Sequence, residues 1–109
     1  MKYGSIRQAA GLFEGEGCIS HQQSQPNKRV VQMNMTDLDV MQLFVYLIGI
    51  GELHGPCTYK TRPHCQEFYW WKATAHRDVK WILEMLSPYF FARRSEKAQE
   101  VFDHYEATY

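Results

Sequence analysis

Residues 9–17 combine two spaced glycines with an acidic residue, a pattern that could hold a metal ion between two helices. Gly11 and Gly15 are four residues apart, so in a helix they share one face, which Gln8 extends. A glycine inside a helix costs about 1 kcal/mol relative to alanine. Close contact with a second helix would offset that cost. We therefore expect Gln8, Gly11 and Gly15 to form a helix–helix interface.

Glu16 stands at the predicted C-terminal end of this helix, and Gly17 follows as a candidate C-cap. An acidic side chain is poorly placed there, because the helix dipole is negative at its C-terminus. If the helix packs against its own symmetry mate, two Glu16 carboxylates meet and repel each other unless divalent cations, which take oxygen ligands, lie between them. The alternative interpretation is a solvated acid at a frayed helix end.

Residues 9–17 resemble the LAGLIDADG motif of homing endonucleases. Relative to that motif, Ala9 replaces the first Leu, Phe13 replaces Ile, Glu14 and Glu16 replace the two Asp, and Gly15 replaces the second Ala. The resemblance extends over nearly the whole chain, through the order of predicted elements, an aromatic fourth strand and the segment 86–89 with two arginines beyond it. It implies an endonuclease that cuts both strands of a long pseudo-palindromic DNA site by hydrolysis assisted by Mg²⁺ or Mn²⁺. One motif per chain implies a homodimer with one half-site per subunit.

The resemblance also implies catalytic roles. Glu16 is expected to bind the metal ions, with Gly15 as a further ligand. Asp37 matches a position near the active site that helps to order water, although a first-turn helix acid is an equally good interpretation. A basic residue after the Pro-Tyr segment stabilises charge on the scissile phosphate, and register alone does not choose between Arg93 and Arg94. Arginine stays charged, so this residue is not expected to transfer a proton.

Members of this family read DNA with the exposed face of the sheet, and the second predicted strand has a suitable polar face. Gln32 and Asn34 alternate with apolar residues, and their amides suit hydrogen bonding to base edges in the major groove. The residues expected to contact DNA are Ser20, Gln22, Ser24, Lys28, Arg29, Gln32, Asn34 and Lys72. An ordinary solvated sheet face is the alternative interpretation.

Hydrophobic periodicity and turn residues predict the elements that must position these side chains. Helices are predicted at 4–15, between a cap at Thr36 and a stop at Gly49, at 76–86 and at 95–105. Strands are predicted at 17–24, 29–36, from residue 52 onward and at 67–74. The order is αββαββα with one further helix, an α+β fold with helices on one face of a four-stranded sheet. The resemblance adds that this sheet is antiparallel and saddle-shaped. Trp70, Trp71 and Trp81 are expected mainly in the core.

Length and composition are compatible with this interpretation. The 109 residues predict a single domain covering 1–109. The 12 basic residues balance 12 acidic ones, unlike a strongly basic nucleic-acid binder, although only the contacting face has to be positive. Three cysteines without a signal peptide predict an intracellular protein with free thiols. No segment looks able to span or anchor to a membrane.

Two other functions compete with cleavage. The same fold could serve a nucleic-acid-binding protein that does not cut, or an RNA intron maturase, in which case RNA is a partner. A zinc-stabilised interaction domain is the third possibility, with His54, Cys57, His64 and Cys65 as ligands. Their spacing fits no strong zinc-finger pattern.

Overall fold

The computed structural model describes residues 5–21, 25, 27–58 and 67–108, which form an α+β fold. Its helices are α1 (Ile6–Glu16), α2 (Leu38–Ile48), α3 (His76–Leu86) and α4 (Ala92–Thr108), and its strands are β1 (Gly17–His21), β2 (Arg29–Met35), β3 (Glu52–Cys57) and β4 (Phe68–Ala73). A short 3₁₀ turn, Ser87–Tyr89, joins α3 to α4. The predicted fold class and element order are confirmed.

The strands form one antiparallel sheet in the order β1-β2-β4-β3. Alternate residues of each strand point to opposite faces. The row of cross-strand partners on the helix-covered face is Gly17, Met33, Trp71 and Leu53. We call the other side the open face, and its two central rows are Cys18, Gln32, Lys72 and Glu52, and Asn34, Trp70 and His54.

The helices bury the covered face of the sheet, and aromatic rings join the layers. Trp71 is fully buried, and its indole Nε1 donates a hydrogen bond of 2.9 Å to the carbonyl oxygen of Ile50. Phe44 of α2 meets the Trp71 ring edge-on, with centroids 4.9 Å apart. Phe13 of α1 stacks on Phe44 with centroids 6.5 Å apart. α1 is therefore fixed to the core through one side, while its glycines lie elsewhere on the helix.

The ends of α1 and α2 have separate physical causes. The Ser5 side chain caps α1 by accepting a hydrogen bond of 3.0 Å from the Gln8 backbone N–H. Gly17 is the C-cap of α1, as predicted, but its backbone is extended, with φ −84°. Glycine is required there because a Cβ atom would clash with the Phe13 ring. Gly49 ends α2 in the left-handed region, with φ 79°, as expected of a helix stop.

Several predicted details need correction. The N-cap of α2 is Asp37 rather than Thr36, and its side chain makes no capping hydrogen bond. α4 begins at Ala92 and ends at Thr108, three residues beyond the prediction at each end. Trp81 is 56% exposed and Trp70 lies on the open face, so only Trp71 of the three is in the core. The end of the first predicted strand, at 22–24, lies outside the described residues, and so does the hairpin at 59–66.

Across the described part of the chain, no helix is both long and apolar enough to cross a membrane.

Candidate active site and open sheet face

Glu16 is the last residue of α1, as predicted, and its side chain is exposed. It makes no hydrogen bond or ion pair with any described residue. No basic residue lies in the last turn of α1 to balance the helix dipole. The structure therefore presents a carboxylate with free oxygen atoms at the negative end of a helix, an arrangement in which a bound cation would be stabilising.

Glu14 and Arg94 lock the C-terminal end of α1 to the start of α4. The Arg94 Nε atom lies 2.9 Å from Glu14 Oε2, and its two terminal nitrogens donate to the carbonyl oxygens of Gly17, at 2.9 Å, and Glu14, at 3.1 Å. The other carboxylate oxygen of Glu14 accepts a hydrogen bond of 2.6 Å from the Phe91 backbone N–H. One guanidinium thus binds carbonyl groups on both sides of the junction between α1 and β1, while one carboxylate binds the N–H of the residue just before α4.

The two arginines that the sequence could not separate have different surroundings. All three side-chain nitrogens of Arg94 donate to Glu14 or Gly17, and its side chain is 22% exposed. Arg93 is exposed and bonds to no other described side chain. It lines a cleft of about 790 Å³ between β1 and α4, together with Gly17, Cys18 and Lys97. Arg93 therefore keeps a guanidinium that no described side chain engages, whereas that of Arg94 is fully engaged.

Asp37 lies just past the end of β2, and its side chain is exposed. Its carboxylate bonds to no described residue, whereas its carbonyl oxygen accepts from Met41 N–H at 3.1 Å. Helix capping by the side chain therefore does not account for this acid.

The glycine face of α1 is open. Gly11 and Gly15 are exposed, and a Cβ atom added at either would meet nothing within 4 Å. Gln8, which extends this face, is half-buried. Nothing among the described residues requires the two glycines, since neither has a positive φ nor a crowded Cβ position.

Of the six described residues that were predicted to contact DNA, four lie on the open face. Gln32, Asn34 and Lys72 lie in its two central rows, and Asn34 is exposed. Ser20 shares this side of β1 with Cys18, and Lys28 stands just before β2. Gln22 and Ser24 lie outside the described residues.

Arg29 differs from the other predicted contacts, because its position in β2 has the opposite parity to Gln32 and Asn34 and therefore lies on the covered side of the sheet. It has the same parity as Val31 and Met33, which are buried on the covered face. Arg29 lines a cleft on the helix side of the sheet with Lys97 and Glu100 of α4. Its position near the end of the strand leaves room for a charged side chain there.

Besides Cys18, the two central rows of the open face contain three residues that sequence analysis did not assign to it. Trp70, His54 and Glu52 lie beside Lys72 and Asn34 in the strand register. The signal was present in the alternation of β4, which places Trp70 and Lys72 on one side and the core residue Trp71 on the other. Aromatic character directed Trp70 to the core in the prediction, although the parity of the strand places it outside.

The proposed zinc ligands do not gather among the described residues. His54 stacks on Trp70 with ring centroids 4.1 Å apart, and its Nε2 lies 3.2 Å from Glu52 Oε2. Cys57 is a free thiol, and so is Cys18. Across the ranges that the structure describes, no group of three His, Cys, Asp or Glu side chains could hold an ion. His64 and Cys65 lie outside those ranges.

No protein-family model matches the chain, and no curated protein matches it. Solved structures do match. The homing endonuclease I-CvuI, in complex with its target DNA in the presence of calcium, superposes with a TM-score of 0.68 at 15% identity over 90% of this chain and 63% of its own. The homing endonuclease I-TnaI gives 0.66 at 12% identity, over 91% of this chain and 69% of its own.

The LAGLIDADG meganuclease I-AabMI, bound to uncleaved DNA, gives a TM-score of 0.70 at 14% identity, over 95% of this chain and 37% of its own. This chain thus spans less than two thirds of I-CvuI and little more than a third of I-AabMI. At such identities the likeness is one of fold. The chain has the fold of the LAGLIDADG homing endonucleases, as the motif at residues 9–17 predicted.

Proposed function

We propose that this protein is a site-specific DNA endonuclease that works as a homodimer with Mg²⁺ or Mn²⁺ and cuts both strands of a long pseudo-palindromic site. The observation that carries the proposal is the exposed Glu16 carboxylate at the end of a helix whose glycine face is open. The homing-endonuclease fold supports nuclease activity, and the DNA complexes of I-CvuI and I-AabMI support DNA as the substrate.

The dimer is supported by the two glycines of α1. Each costs about 1 kcal/mol relative to alanine in a helix, and no contact with the described part of the chain requires either of them. A second α1 helix packed against Gly11 and Gly15 would use the missing side chains, because the two backbones could approach closely. The I-AabMI chain is more than twice as long as this one, which leaves room in it for a second unit of this size.

The donor chemistry of the site fits a hard divalent cation. Glu16 offers carboxylate oxygens, and the backbone carbonyl of Gly15 offers another oxygen beside it. One chain supplies too few ligands, so the second copy of Glu16 would complete the site, and its negative charge would need the cation for balance. When bound, such a cation would lower the pKa of a water molecule and stabilise the leaving oxygen of the phosphodiester.

Further side chains would serve binding and orientation in the proposed site. Asp37 would orient the attacking water by accepting a hydrogen bond from it. Arg93 would stabilise the charge that develops on the scissile phosphate, and it would remain protonated throughout. Arg94 and Glu14 would hold the end of α1 in place without contacting DNA.

The open face would bind the DNA duplex beside this site. Gln32 and Asn34 would bond to base edges, while Lys28 would contact phosphates and fix the register of the protein on the duplex. The balanced net charge does not oppose this, since only the face that contacts DNA has to be positive.

The test is strand cleavage by Glu16→Gln, with Mg²⁺ and a randomised duplex library whose cut ends are sequenced. The substitution keeps size and hydrogen bonding but removes the charge that holds the cation. We expect cleavage to fall by more than about a thousandfold, equivalent to more than about 4 kcal/mol of activation free energy. Binding in mobility-shift assays should persist, and calcium should support binding without cleavage.

The matched control is Glu84→Gln, which removes the same charge from an exposed position on α3. It should cut like the unmodified protein. Near-normal cleavage by Glu16→Gln would make Glu16 structural and overturn the proposed site. If the unmodified protein binds nucleic acid but never cuts, the non-cleaving binder or the RNA maturase replaces the endonuclease.

A further inference from the structure

Four side chains at the β3–β4 end of the open face form one connected cluster. They are Glu52, His54, Trp70 and Lys72. Glu52 lies directly opposite Lys72, and His54 lies directly opposite Trp70 in the antiparallel register. The register is regular here and shifts only between His54 and Cys57. The four side chains therefore project from the same side of adjacent strands, as direct and diagonal neighbours.

The two charged side chains of the cluster contact aromatic residues instead of each other, Glu52 through His54 and Lys72 through Trp70. The Nε2 atom of His54 lies 3.2 Å from Glu52 Oε2, and the Lys72 ammonium lies 5.4 Å from the centroid of the Trp70 ring. The His54 and Trp70 rings stack with an interplanar angle of 19°. Directly opposed Lys and Glu side chains on a sheet commonly form an ion pair. Glu52 and Lys72 do not form one here, so the Lys72 ammonium, a hydrogen-bond donor, lies beside the Glu52 carboxylate, an acceptor.

A carboxylate is costly on a surface that faces DNA phosphates, because like charges repel. Glu52 is well exposed, with a side-chain accessibility of 74%, and could be compatible with DNA only where it meets a hydrogen-bond donor. In the major groove, cytosine presents its N4 amino group as a donor, and glutamate is a suitable acceptor for it. Guanine in the same base pair presents the O6 and N7 acceptors, which suit lysine.

We propose that Lys72 and Glu52 together read one G·C base pair in each half-site, Lys72 on the guanine and Glu52 on the cytosine. The inference rests on the proposed function, since it assumes that the open face lies in the major groove. A G·C pair has its acceptors on one side and its donor on the other, which matches the lysine and glutamate on neighbouring strands. The His54 and Trp70 rings restrict the two side chains before binding, which lowers the entropy lost on contact.

The experiment is binding selection from a randomised duplex DNA library in calcium, followed by sequencing of the bound fraction. The unmodified protein should enrich a G·C pair at one position of each half-site. Glu52→Ala and Lys72→Ala should each lower the preference at that position by about tenfold, the discrimination expected of one lost base contact. Other positions should keep their preferences. The double variant Glu52→Lys with Lys72→Glu should favour the reversed pair, C·G.

Glu84→Ala is the control, because it removes an equal charge from the helix side of the molecule, and it should leave every preference unchanged. If the unmodified protein enriches a site but the Glu52 and Lys72 variants enrich the same one, the G·C assignment is wrong while the proposed function stands. If the unmodified protein enriches no duplex, the assignment fails together with the proposed function. Equal losses at every position would indicate phosphate contact by Lys72 and would also overturn the assignment.

Discussion

Glu14 uses both carboxylate oxygens to join two helix ends, one bonded to Arg94 Nε and the other to Phe91 N–H. The pair is partly shielded from water, with side-chain exposures of 22% for Arg94 and 20% for Glu14. Charge-assisted hydrogen bonds are stronger than neutral ones, and they lose less to solvent screening in such a position. The contacts of Glu14 with Arg94 and Phe91 should therefore contribute to stability, in contrast to an exposed surface ion pair such as Lys97 with Glu100.

Replacing each arginine by alanine should separate their roles. Arg94→Ala should lower the free energy of unfolding by about 2–3 kcal/mol, because it leaves the Glu14 carboxylate and two carbonyl groups without a donor. Arg93→Ala should change that free energy by less than about 0.5 kcal/mol, as at other surface positions, but it should greatly reduce cleavage. Urea denaturation and a cleavage assay on both variants measure this. Equal destabilisation by both, or normal cleavage by Arg93→Ala, would contradict the assignment.

For individual residues, the sequence predicted the place of a residue within its helix or strand better than it predicted the contacts of its side chain. Glu16 was correctly expected at the C-terminal end of α1, because the glycine after it and the helical periodicity before it are local signals. Arg93 and Arg94 could not be told apart, since the partner that distinguishes them, Glu14, lies 80 residues from Arg94 in sequence. The exposure of Trp70 was missed because residue type was given more weight than strand parity.

The same distinction holds for whole elements. The prediction for α3 matches His76–Leu86, because Val79, Ile82, Leu83 and Leu86 form a regular apolar stripe and are all buried. α4 starts three residues before its predicted start. Its first turn contains two arginines and no apolar stripe. The Glu14 carboxylate of α1 accepts a hydrogen bond from the backbone N–H of Phe91, the residue just before this helix. A helix end fixed by a distant element leaves no signal in the local sequence.

β2 and the residue before it should divide DNA recognition between bases and phosphates. Asn34 is exposed on the open face, whereas Lys28 stands just before the strand. Asn34→Ala should change the base preference at a few positions only. Lys28→Ala should weaken binding to all sequences and should reduce the salt-dependence slope by about one.

Library selection at two salt concentrations tests both expectations. Lys80→Ala, an exposed lysine on α3, is the control for loss of a positive charge and should leave the slope unchanged. If Asn34→Ala and Lys28→Ala affect every sequence equally, direct readout by the open face is not supported.

At the scale of the molecule, the described helices cover one face of the sheet, while the open face and the glycine face of α1 are exposed. Glu16 ends the helix that carries the glycines, at the point where the chain enters β1. Two copies joined through α1 would therefore bring both Glu16 residues and both open faces into one assembly. A symmetric pair of active sites on one DNA-facing surface would allow each subunit to cut one strand.

Gly15→Leu tests this assembly without disturbing the subunit. The added side chain meets nothing within the chain at its Cβ position, and leucine favours a helix by nearly 1 kcal/mol relative to glycine, so the subunit should fold at least as stably as before. It should block the approach of a second α1 helix. Sedimentation should therefore change from a mass near twice 12.9 kDa to the monomer mass, with normal circular dichroism.

Gln42→Leu, on an exposed position of α2, is the control and should remain dimeric. Double-strand cleavage should disappear with the dimer, because each Glu16 loses its counterpart. A Gly15→Leu protein that stays dimeric, or an unmodified protein that cuts both strands as a monomer at micromolar concentration, would refute the two-fold arrangement through α1.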